Sequence, residues 1–546
     1  PPPPEKEPME KENLNEPRKY HLEKWLLPLG AAGLILWAVF TPFRSDAPAL
    51  SLPREEAVEV AKQELRDKYA VDFDEWTILT SVSDNVDRQD IFAWRTGGKE
   101  DYQSLLDNFL KPPHWIIRLV KTGGEAEDRT EEFRVDVFND GMARRVSHKI
   151  PEDQPGKNLS SQKAREIAGT ALKNRYSLDI NTLKEVTVSP EKLENRTDWE
   201  LTYADTINYP LEQGQGRYRV KISGDEITDA YAFVHIPEEW SREYRKANSK
   251  KSVFRTIGNV LVSGTLLLGL ILGIIRWTRK KFHLKIFISI TLLFAAFFII
   301  ENGVGWNSLL SNYSTQIPMN NFITMMLIGL ALGGIFLSLL NGIIIGVTPG
   351  WIPVSPGTKT NKLIYAVALG FLVAGIWTAL DQLTPKTSPS WINFNYLNST
   401  VPSMSAALSK LSTILVYPAF VMVLFYGIHF ITRAWTSGKW IGVLIFALAG
   451  LALGALDYET LYAWIFWGVL AAVALWAIYF FFIRFHFEWI PFGFGILLLF
   501  SILREMIINP QLSIIAGGIL MILISSGLLY FWSVLLIKNP EQTPPE

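Results

Sequence analysis

A histidine and an arginine lie four residues apart in "IHFITR" (428–433), at the end of the apolar run "LVYPAFVMVLFYGIHFITRAW". If a helix continues through this stretch, His429 and Arg433 share one face. An imidazole can transfer a proton and a guanidinium can orient a carboxylate, so the pair could belong to a membrane hydrolase. Activation of water would also need a strong base beside them, and Ile428 cannot serve as one. The stretch predicts either a reacting centre or the remnant of one.

The composition combines two unlike regions. The chain has 546 residues, of which 49% are hydrophobic and 19% charged. Apolar runs dominate from about residue 254 onward, whereas residues 45–250 are charged and typical of a soluble domain. The net charge of −1 gives no basic field for nucleic acid, so no nucleic-acid partner is expected. The chain has no cysteine, which excludes disulfides, thiol nucleophiles, zinc–thiolate sites and iron–sulfur clusters.

Apolar runs of the length needed to cross a bilayer, roughly 20 residues, predict about ten membrane spans. The first one, "WLLPLGAAGLILWAVFTPF", ends in "TPFRSD" without a small-x-small cleavage site, so we interpret it as a retained anchor. The segment at 487–504 is the weakest candidate because it contains Glu488, Pro491 and Arg504. The predicted spans are 25–43, 254–277, 286–301, 322–347, 363–381, 411–432, 440–456, 460–483, 487–504 and 512–537.

The distribution of lysine and arginine predicts the orientation of these spans. "PRKYHLEK", before the first span, and "RWTRKKFHLK", after the second, are strongly basic and are expected in the cytoplasm. The charged region between the two spans then lies outside. The long loops "ENGVGWNSLLSNYSTQIPMNN" and "DQLTPKTSPSWINFNYLNSTVPSMS" also fall outside, and both chain ends fall inside.

The charged region contains an internal similarity. "EEAVEVAKQELRDKYAVDFDEWTILTSVS" (55–83) resembles "SQKAREIAGTALKNRYSLDINTLKEVTVS" (161–189), and alternating strands follow in both cases. We expect two repeated α+β units, at about 50–153 and 157–240, that fold without the membrane. The strand alternation predicts that four side chains are buried on one face of each unit: Val135, Val137, Val220 and Ile222.

These units resemble the PepSY-like and cystatin-like modules found outside bacterial membrane proteins. Such modules bind or inhibit other molecules and rarely catalyse, so the resemblance implies a binding role. The two histidines of the first unit, His114 and His148, are expected at the surface or in loops and not as ligands.

The layout of the whole chain resembles a bacterial subgroup of the CAAX protease and bacteriocin-processing (CPBP) family. An anchor and a two-unit external domain are followed by "HIPEEWSREYRKANSK" and a multi-span region. Family members use Glu-Glu-x-x-x-Arg in one span and histidines in later spans, so the resemblance implies an intramembrane protease frame.

The catalytic pattern of that family is degenerate in this chain. Arg433 is present, but Ile428 and His429 stand where the two glutamates are expected. "FYGIH" fits the family's Phe-x-x-x-His but lies in the wrong span, and "PFGFGIL" stands where the last histidine is expected. The resemblance therefore implies no catalytic residue, and the sequence predicts no cofactor.

The histidines and carboxylates near the span ends suggest either a metal site or polar residues that simply lie at helix ends. His429 and His486 could join Glu488, Asp457 or Glu459, but the predicted topology places Asp457 and Glu459 on the opposite side of the membrane from the histidines. Other charged residues fall at predicted span ends, where their long side chains can reach water. The sequence therefore favours no metal site and no ion path. These helix-end residues include Glu301, Asp381, Arg504 and Glu505.

The predicted fold class is a polytopic α-helical membrane protein with an external α+β domain. The favoured function is a non-catalytic scaffold or accessory subunit of the bacterial inner membrane that contacts lipids and binds membrane or periplasmic proteins. A divergent CPBP-type protease is the alternative, and a transporter has no positive feature beyond the number of spans. The predicted organisation is a disordered cytoplasmic N-terminus (1–22), an anchor (23–44), an external domain (45–250), a multi-span domain (251–538) and a cytoplasmic tail (539–546).

Overall fold

Two four-stranded antiparallel sheets, each with its strands in sequence order, form the charged part of the chain, which we call the external region or domain after its predicted location. The computed structural model describes residues 22–123, 128–280, 282–347, 359–457, 460–509 and 511–537. The predicted N-terminal tail (1–22) as far as residue 21, the predicted C-terminal tail (539–546) and Glu459 lie outside these ranges. The strands are β1 Thr77–Ser83, β2 His114–Val120, β3 Glu132–Val137, β4 Ala143–Lys149, β5 Lys184–Lys192, β6 Thr197–Asp205, β7 Gln215–Ser223 and β8 Glu226–His235.

Helices make up most of the remaining described chain. Four of them, α1 to α4, precede or accompany the sheets, and α5 leads from the second sheet into the apolar part. The helices are α1 Leu26–Phe40, α2 Arg54–Tyr69, α3 Arg88–Leu105, α4 Ser161–Tyr176, α5 Glu238–Thr278, α6 Leu284–Val304, α7 Trp306–Leu310, α8 Met319–Val347, α9 Lys359–Leu383, α10 Pro402–Leu408, α11 Leu411–Ile431, α12 Lys439–Asp457, α13 Leu461–Phe481, α14 Ile490–Ile508 and α15 Leu512–Ile537.

Each sheet follows a helix and a short 3-10 turn in the same order. α2 and α4 both end in a left-handed residue, Ala70 (φ 50°) and Ser177 (φ 56°). An aspartate, Asp72 or Asp179, then caps the 3-10 turn by accepting a backbone N–H. The first half differs by the insertion of α3 between β1 and β2.

The strand alternation predicted from the sequence is confirmed. Val135, Val137, Val220 and Ile222 are all fully buried. α2 covers the first sheet with small and apolar side chains at helical spacing, and α4 covers the second sheet in the same way. These side chains are Ala57, Ala61 and Leu65 in α2, and Ala164, Ala168 and Leu172 in α4.

The two sheets meet along β4 and β8 through charged side chains. Arg145 donates from Nε and Nη2 to the two carboxylate oxygens of Asp229, at 2.9 and 2.5 Å. His148 lies between two carboxylates: Nδ1 is 2.6 Å from Glu226 Oε1, and Nε2 is 3.0 Å from Glu131 Oε1. Bidentate and charge-assisted contacts of this kind fix the relative orientation of the sheets.

Eight of the described helices are long and apolar enough to cross a membrane, judged by length and composition. They are α5, α6, α8, α9, α11, α13, α14 and α15, and they make the chain a multi-pass helical membrane protein. Two shorter apolar helices, Leu26–Phe40 and Lys439–Ala455, cover the other two predicted spans.

Small residues bring the shorter helices close to longer neighbours. A Cβ on Gly33 of α1 would lie 2.4 Å from the carbonyl oxygen of Phe371 in α9. A Cβ on Gly450 of α12 would lie 2.4 Å from the carbonyl oxygen of Gly468 in α13. Glycine is therefore required at these crossings, as expected for membrane helices that associate by close backbone contact.

Candidate functional site

The motif predicted from the sequence lies at the end of α11. Ile428 is buried and lines an apolar cavity between the helices. His429 Nδ1 is 3.5 Å from the Tyr479 hydroxyl, and its ring meets Phe487 edge-on at 5.8 Å between centroids. Neither neighbour is a base that could activate water.

The prediction that His429 and Arg433 share one helical face is wrong, because α11 ends at Ile431. Arg433, Ala434 and Trp435 all have positive φ, at 46°, 56° and 69°. This tight turn buries Trp435, whose ring contacts Phe446 and Tyr479 at 6.3 and 5.9 Å. Burial of the indole offsets the conformational free energy cost of the three left-handed residues. Arg433 lies outside the helix and is exposed.

His486 and Glu488 lie at the same end of the helices as His429, since Phe487 between them contacts its ring. Both are buried, with His486 Nδ1 3.4 Å from Glu488 Oε1 and its ring stacked on Trp489. Asp457 is the last residue of α12, at the opposite end of that helix from Lys439. Within the part of the chain that the structure describes, no three His, Asp or Glu side chains converge in a way that could hold a metal ion.

The opposite end of the helices carries a charged cavity that the sequence did not predict. It has a volume of about 930 Å³ and lies between α6, α10, α14 and the segment 390–399. Glu301, Arg504 and Glu505, which the sequence placed at separate span ends, line this cavity together with Arg44 and Lys410. We call it the outer cavity.

Lys410 organises one wall of the outer cavity. Its Nζ is 2.8 Å from Glu505 Oε2 and 3.2 Å from Ser501 Oγ. A serine beside a lysine can form a nucleophile and base pair. Here the ammonium group is ion-paired with a carboxylate and acts as a hydrogen-bond donor, so the arrangement holds polar groups and does not activate the serine.

The roof of the outer cavity is the segment "SWINFNYLNS" (390–399), which also enters the external region. Phe394 is fully buried in the core of the first sheet, beside Trp115 and Val135. Its backbone N–H donates to Asp84 Oδ2 at 2.5 Å, and Asn398 Oδ1 accepts from the N–H of Val82 in β1 at 2.6 Å. The segment therefore belongs structurally to both parts of the molecule.

A charged cluster surrounds Asp136 of strand β3. Asp136 is fully buried, with Lys111 Nζ 2.6 Å and Arg134 Nε 2.9 Å from its carboxylate oxygens. Burial would raise the pKa of Asp136, but Lys111, His114 and Arg134 outweigh it and hold the pKa well below its usual range. Burial lowers the pKa of His114 to about 4.

The predicted surface or loop location of His114 and His148 is wrong. His114 is 2% exposed at the start of β2, and His148 is 8% exposed within β4. Both rings face carboxylates: His114 Nε2 is 3.7 Å from Asp136 Oδ2, and His148 lies between Glu131 and Glu226. Strand alternation alone does not reveal such partners, which lie on other strands.

Comparison of the chain with protein-family models, with curated proteins and with solved structures gave no match.

Proposed function

We propose that the protein is a non-catalytic membrane scaffold or accessory subunit that binds a partner protein through its external domain. The observation that carries this proposal is the environment of Ile428 and His429. Ile428 lines an apolar cavity, and the groups that contact His429 include a tyrosine hydroxyl and a phenylalanine ring. A protease of the CPBP type needs carboxylates at these two positions to activate water.

The finer organisation is part of the same proposal. The helical part is CPBP-like with about ten spans, and the external part consists of two repeated PepSY-like units in the periplasm of a bacterium. The matching order of helix, capped turn and four strands supports the repeat. Contacts of α1 with α9 and of α12 with α13 support the inclusion of the two short helices as spans.

Attachment of the external domain at several points supports a scaffold role. Arg118 of β2 donates to the carbonyls of Ser311 and Tyr313, which follow α7, at 3.0 and 3.1 Å. Arg95 of α3 donates to the carbonyl of Thr387 at 3.0 Å. A domain held in this way presents a bound partner at a fixed height above the helices.

The orientation can be tested by single cysteines, because the chain has none. We expect an Asn195→Cys variant to react with a membrane-impermeant maleimide on intact cells, and a Lys280→Cys variant to stay unlabelled. Asn195 lies between β5 and β6, in the sheet region that precedes α5, whereas Lys280 follows the last residue of α5. The reverse labelling pattern would refute the proposed topology.

The function can be tested with photo-crosslinking residues in cells. Ile207 and Met142 are exposed on the external domain, at 72% and 59%, and Ile299 of α6 is a similarly exposed apolar control at 71%. We expect a crosslinker at Ile207 or Met142 to give a discrete protein adduct that a crosslinker at Ile299 does not give. The same adduct should form in the His429→Ala variant. Cleavage of transmembrane peptides by the purified protein that is lost in His429→Ala would refute a non-catalytic role.

The alternative proposal is a divergent intramembrane protease. It is favoured by one observation, the proximity of His429 to the segment that contains His486 and Glu488. In that case Glu488→Gln, which keeps the size of the side chain, should abolish cleavage of transmembrane peptides in protein that still unfolds cooperatively. An absence of cleavage by the wild-type protein across a peptide panel would exclude it.

A further inference from the structure

An apolar cavity of about 510 Å³ lies inside the helical part, between α5, α9, α11, α12, α13 and α14. We propose that it binds one acyl chain of an anionic membrane phospholipid, with the lipid phosphate held by Arg255. We call it the acyl cavity. This inference does not depend on the proposed scaffold role.

The size and the lining of the acyl cavity indicate a ligand site. Its volume lies within the range of about 300–1,000 Å³ that is usual for ligand pockets. Protein interiors otherwise contain few voids larger than a water molecule. A Cβ added at Gly493 of α14 would meet no heavy atom within 4 Å, which shows that the space begins at the helix backbone. The wall includes Phe420, Leu424, Phe425, Phe446, Ile490 and Phe494.

The acyl cavity is elongated along the helices. One end is lined by Arg255 and Trp377, near the external ends of α5 and α9, and the other by Ile428 and Ile483. The α5 lining alone extends from Arg255 to Thr265, a rise of about 15 Å. A partner helix, about 10–12 Å across with its side chains, is too wide for this volume. A single hydrocarbon chain has the required shape, and membrane lipid supplies it.

Polar side chains are concentrated at the external end. Arg255 and Asn259 are four residues apart on α5, so they share a face, and both are exposed. Arg255 Nε donates to the carbonyl of Ala455 near the end of α12 at 3.1 Å, which holds the guanidinium at the cavity mouth. Guanidinium groups bind phosphate oxygens in a fork geometry, so this end suits an anionic head group.

The test uses phosphatidylglycerol with a diazirine in the middle of one acyl chain. The full-length protein is reconstituted in vesicles containing this lipid, irradiated and mapped by mass spectrometry. We expect adducts on the cavity-lining segments 420–428 and 490–497. Gly493→Phe places a ring in the cavity and should abolish these adducts. Gly329→Phe, at an exposed glycine of α8 with equally open space, should leave them unchanged.

Two further arms keep the proposal falsifiable. Leu424→Trp fills the cavity from α11 and should have the same effect as Gly493→Phe if that variant fails to fold. Arg255→Ala should remove the preference for phosphatidylglycerol over a phosphatidylcholine probe. Equal adducts in wild type and both filling variants would overturn the acyl site, and equal labelling by the two lipids in the wild type would overturn the role of Arg255.

Discussion

The two sheets of the external domain have the same strand order but complete their cores in different ways. The second sheet packs against α4 and against side chains of α3, including Phe92 and Tyr102, so its core closes within the external region. The first sheet takes in Phe394, Tyr396 and Ile514, which belong to the helical part of the chain. The two sheets share a topology, but only the core of the first sheet includes residues of the helical part. Changes in the helical part should therefore affect the stability of the first sheet more than that of the second.

The largest expected effect comes from Phe394→Ala. Removal of a fully buried phenylalanine ring costs about 3–5 kcal/mol in free energy of unfolding. We expect faster amide hydrogen exchange in β1–β4 and little change in β5–β8. Phe430→Ala, at a ring that is 74% exposed, is the matched control. Equal acceleration in both sheets would show that the cores are not separate.

A smaller effect is expected from Trp391→Phe. Trp391 Nε1 donates to the Tyr102 hydroxyl at 2.8 Å and so connects the 390–399 segment to a residue of the second core. Loss of this hydrogen bond should cost about 0.5–1.5 kcal/mol, seen as a lower denaturation midpoint of the detergent-solubilised protein. Trp440→Phe, at a 69% exposed indole, should not change it. An unchanged midpoint in Trp391→Phe would mean that the contact adds nothing to coupling.

The junction between the sheets should depend on pH. Burial lowers the pKa of His148, but hydrogen bonds from its ring to Glu131 and Glu226 outweigh burial and raise the pKa above its usual value. The protonated form is therefore favoured in the folded state. Its contribution is fully present below the ordinary histidine pKa, about 6.5, and is lost as pH rises through the raised value.

The hydrogen bond to His148 is also the main reason that the pKa of Glu131 falls to about 2. Stability from Glu131 is present above the ordinary glutamate pKa and is lost as pH falls towards 2. We expect the Tm of the wild type to decrease as pH rises above about 6.5 and as pH falls below the ordinary glutamate pKa. His148→Gln should flatten the alkaline decrease, and an identical alkaline profile in the variant would contradict this assignment.

The smallest effect is expected from His429→Ala. The side chain is partly exposed, and its 3.5 Å contact with the Tyr479 hydroxyl is long for a hydrogen bond. The change should cost less than about 1 kcal/mol. Hydrogen exchange in both sheets should match the wild type, because His429 lies at the end of α11 away from them. Faster exchange in the first sheet would reveal a long-range coupling between the end of α11 and that sheet.

Local patterns in the sequence predicted most elements of the fold. Apolar runs of span length fall on helices, and the alternation around Val135 and Val220 falls on buried strand positions. These features are repeated along a few neighbouring residues, so a single sequence reveals them. The turn at Arg433 is not evident from the sequence, because the i, i+4 spacing indicates a shared face only where a helix continues, and α11 ends at Ile431.

The candidate sites depended on distant contacts and were mostly missed. Phe394 meets strands that precede it by more than 200 residues, and no local pattern marks such a contact. Lys410, which immediately precedes α11, is ion-paired with Glu505 of α14, and again no local pattern marks this contact. The aromatic and asparagine-rich composition of "SWINFNYLNS" was the available signal, since such residues are unusual in a solvated loop.

The position of Phe394 has a consequence for biosynthesis. The last strand of the first sheet ends at Lys149, so 245 residues, from 149 to 394, are made before the ring of Phe394 is available to its core. At about 5–20 residues per second this interval lasts on the order of 10–50 s. During that time the first sheet lacks part of its interior, which is completed only when Ile514 of α15 has also been made. Completion of the first sheet therefore depends on synthesis of the helical part of the chain.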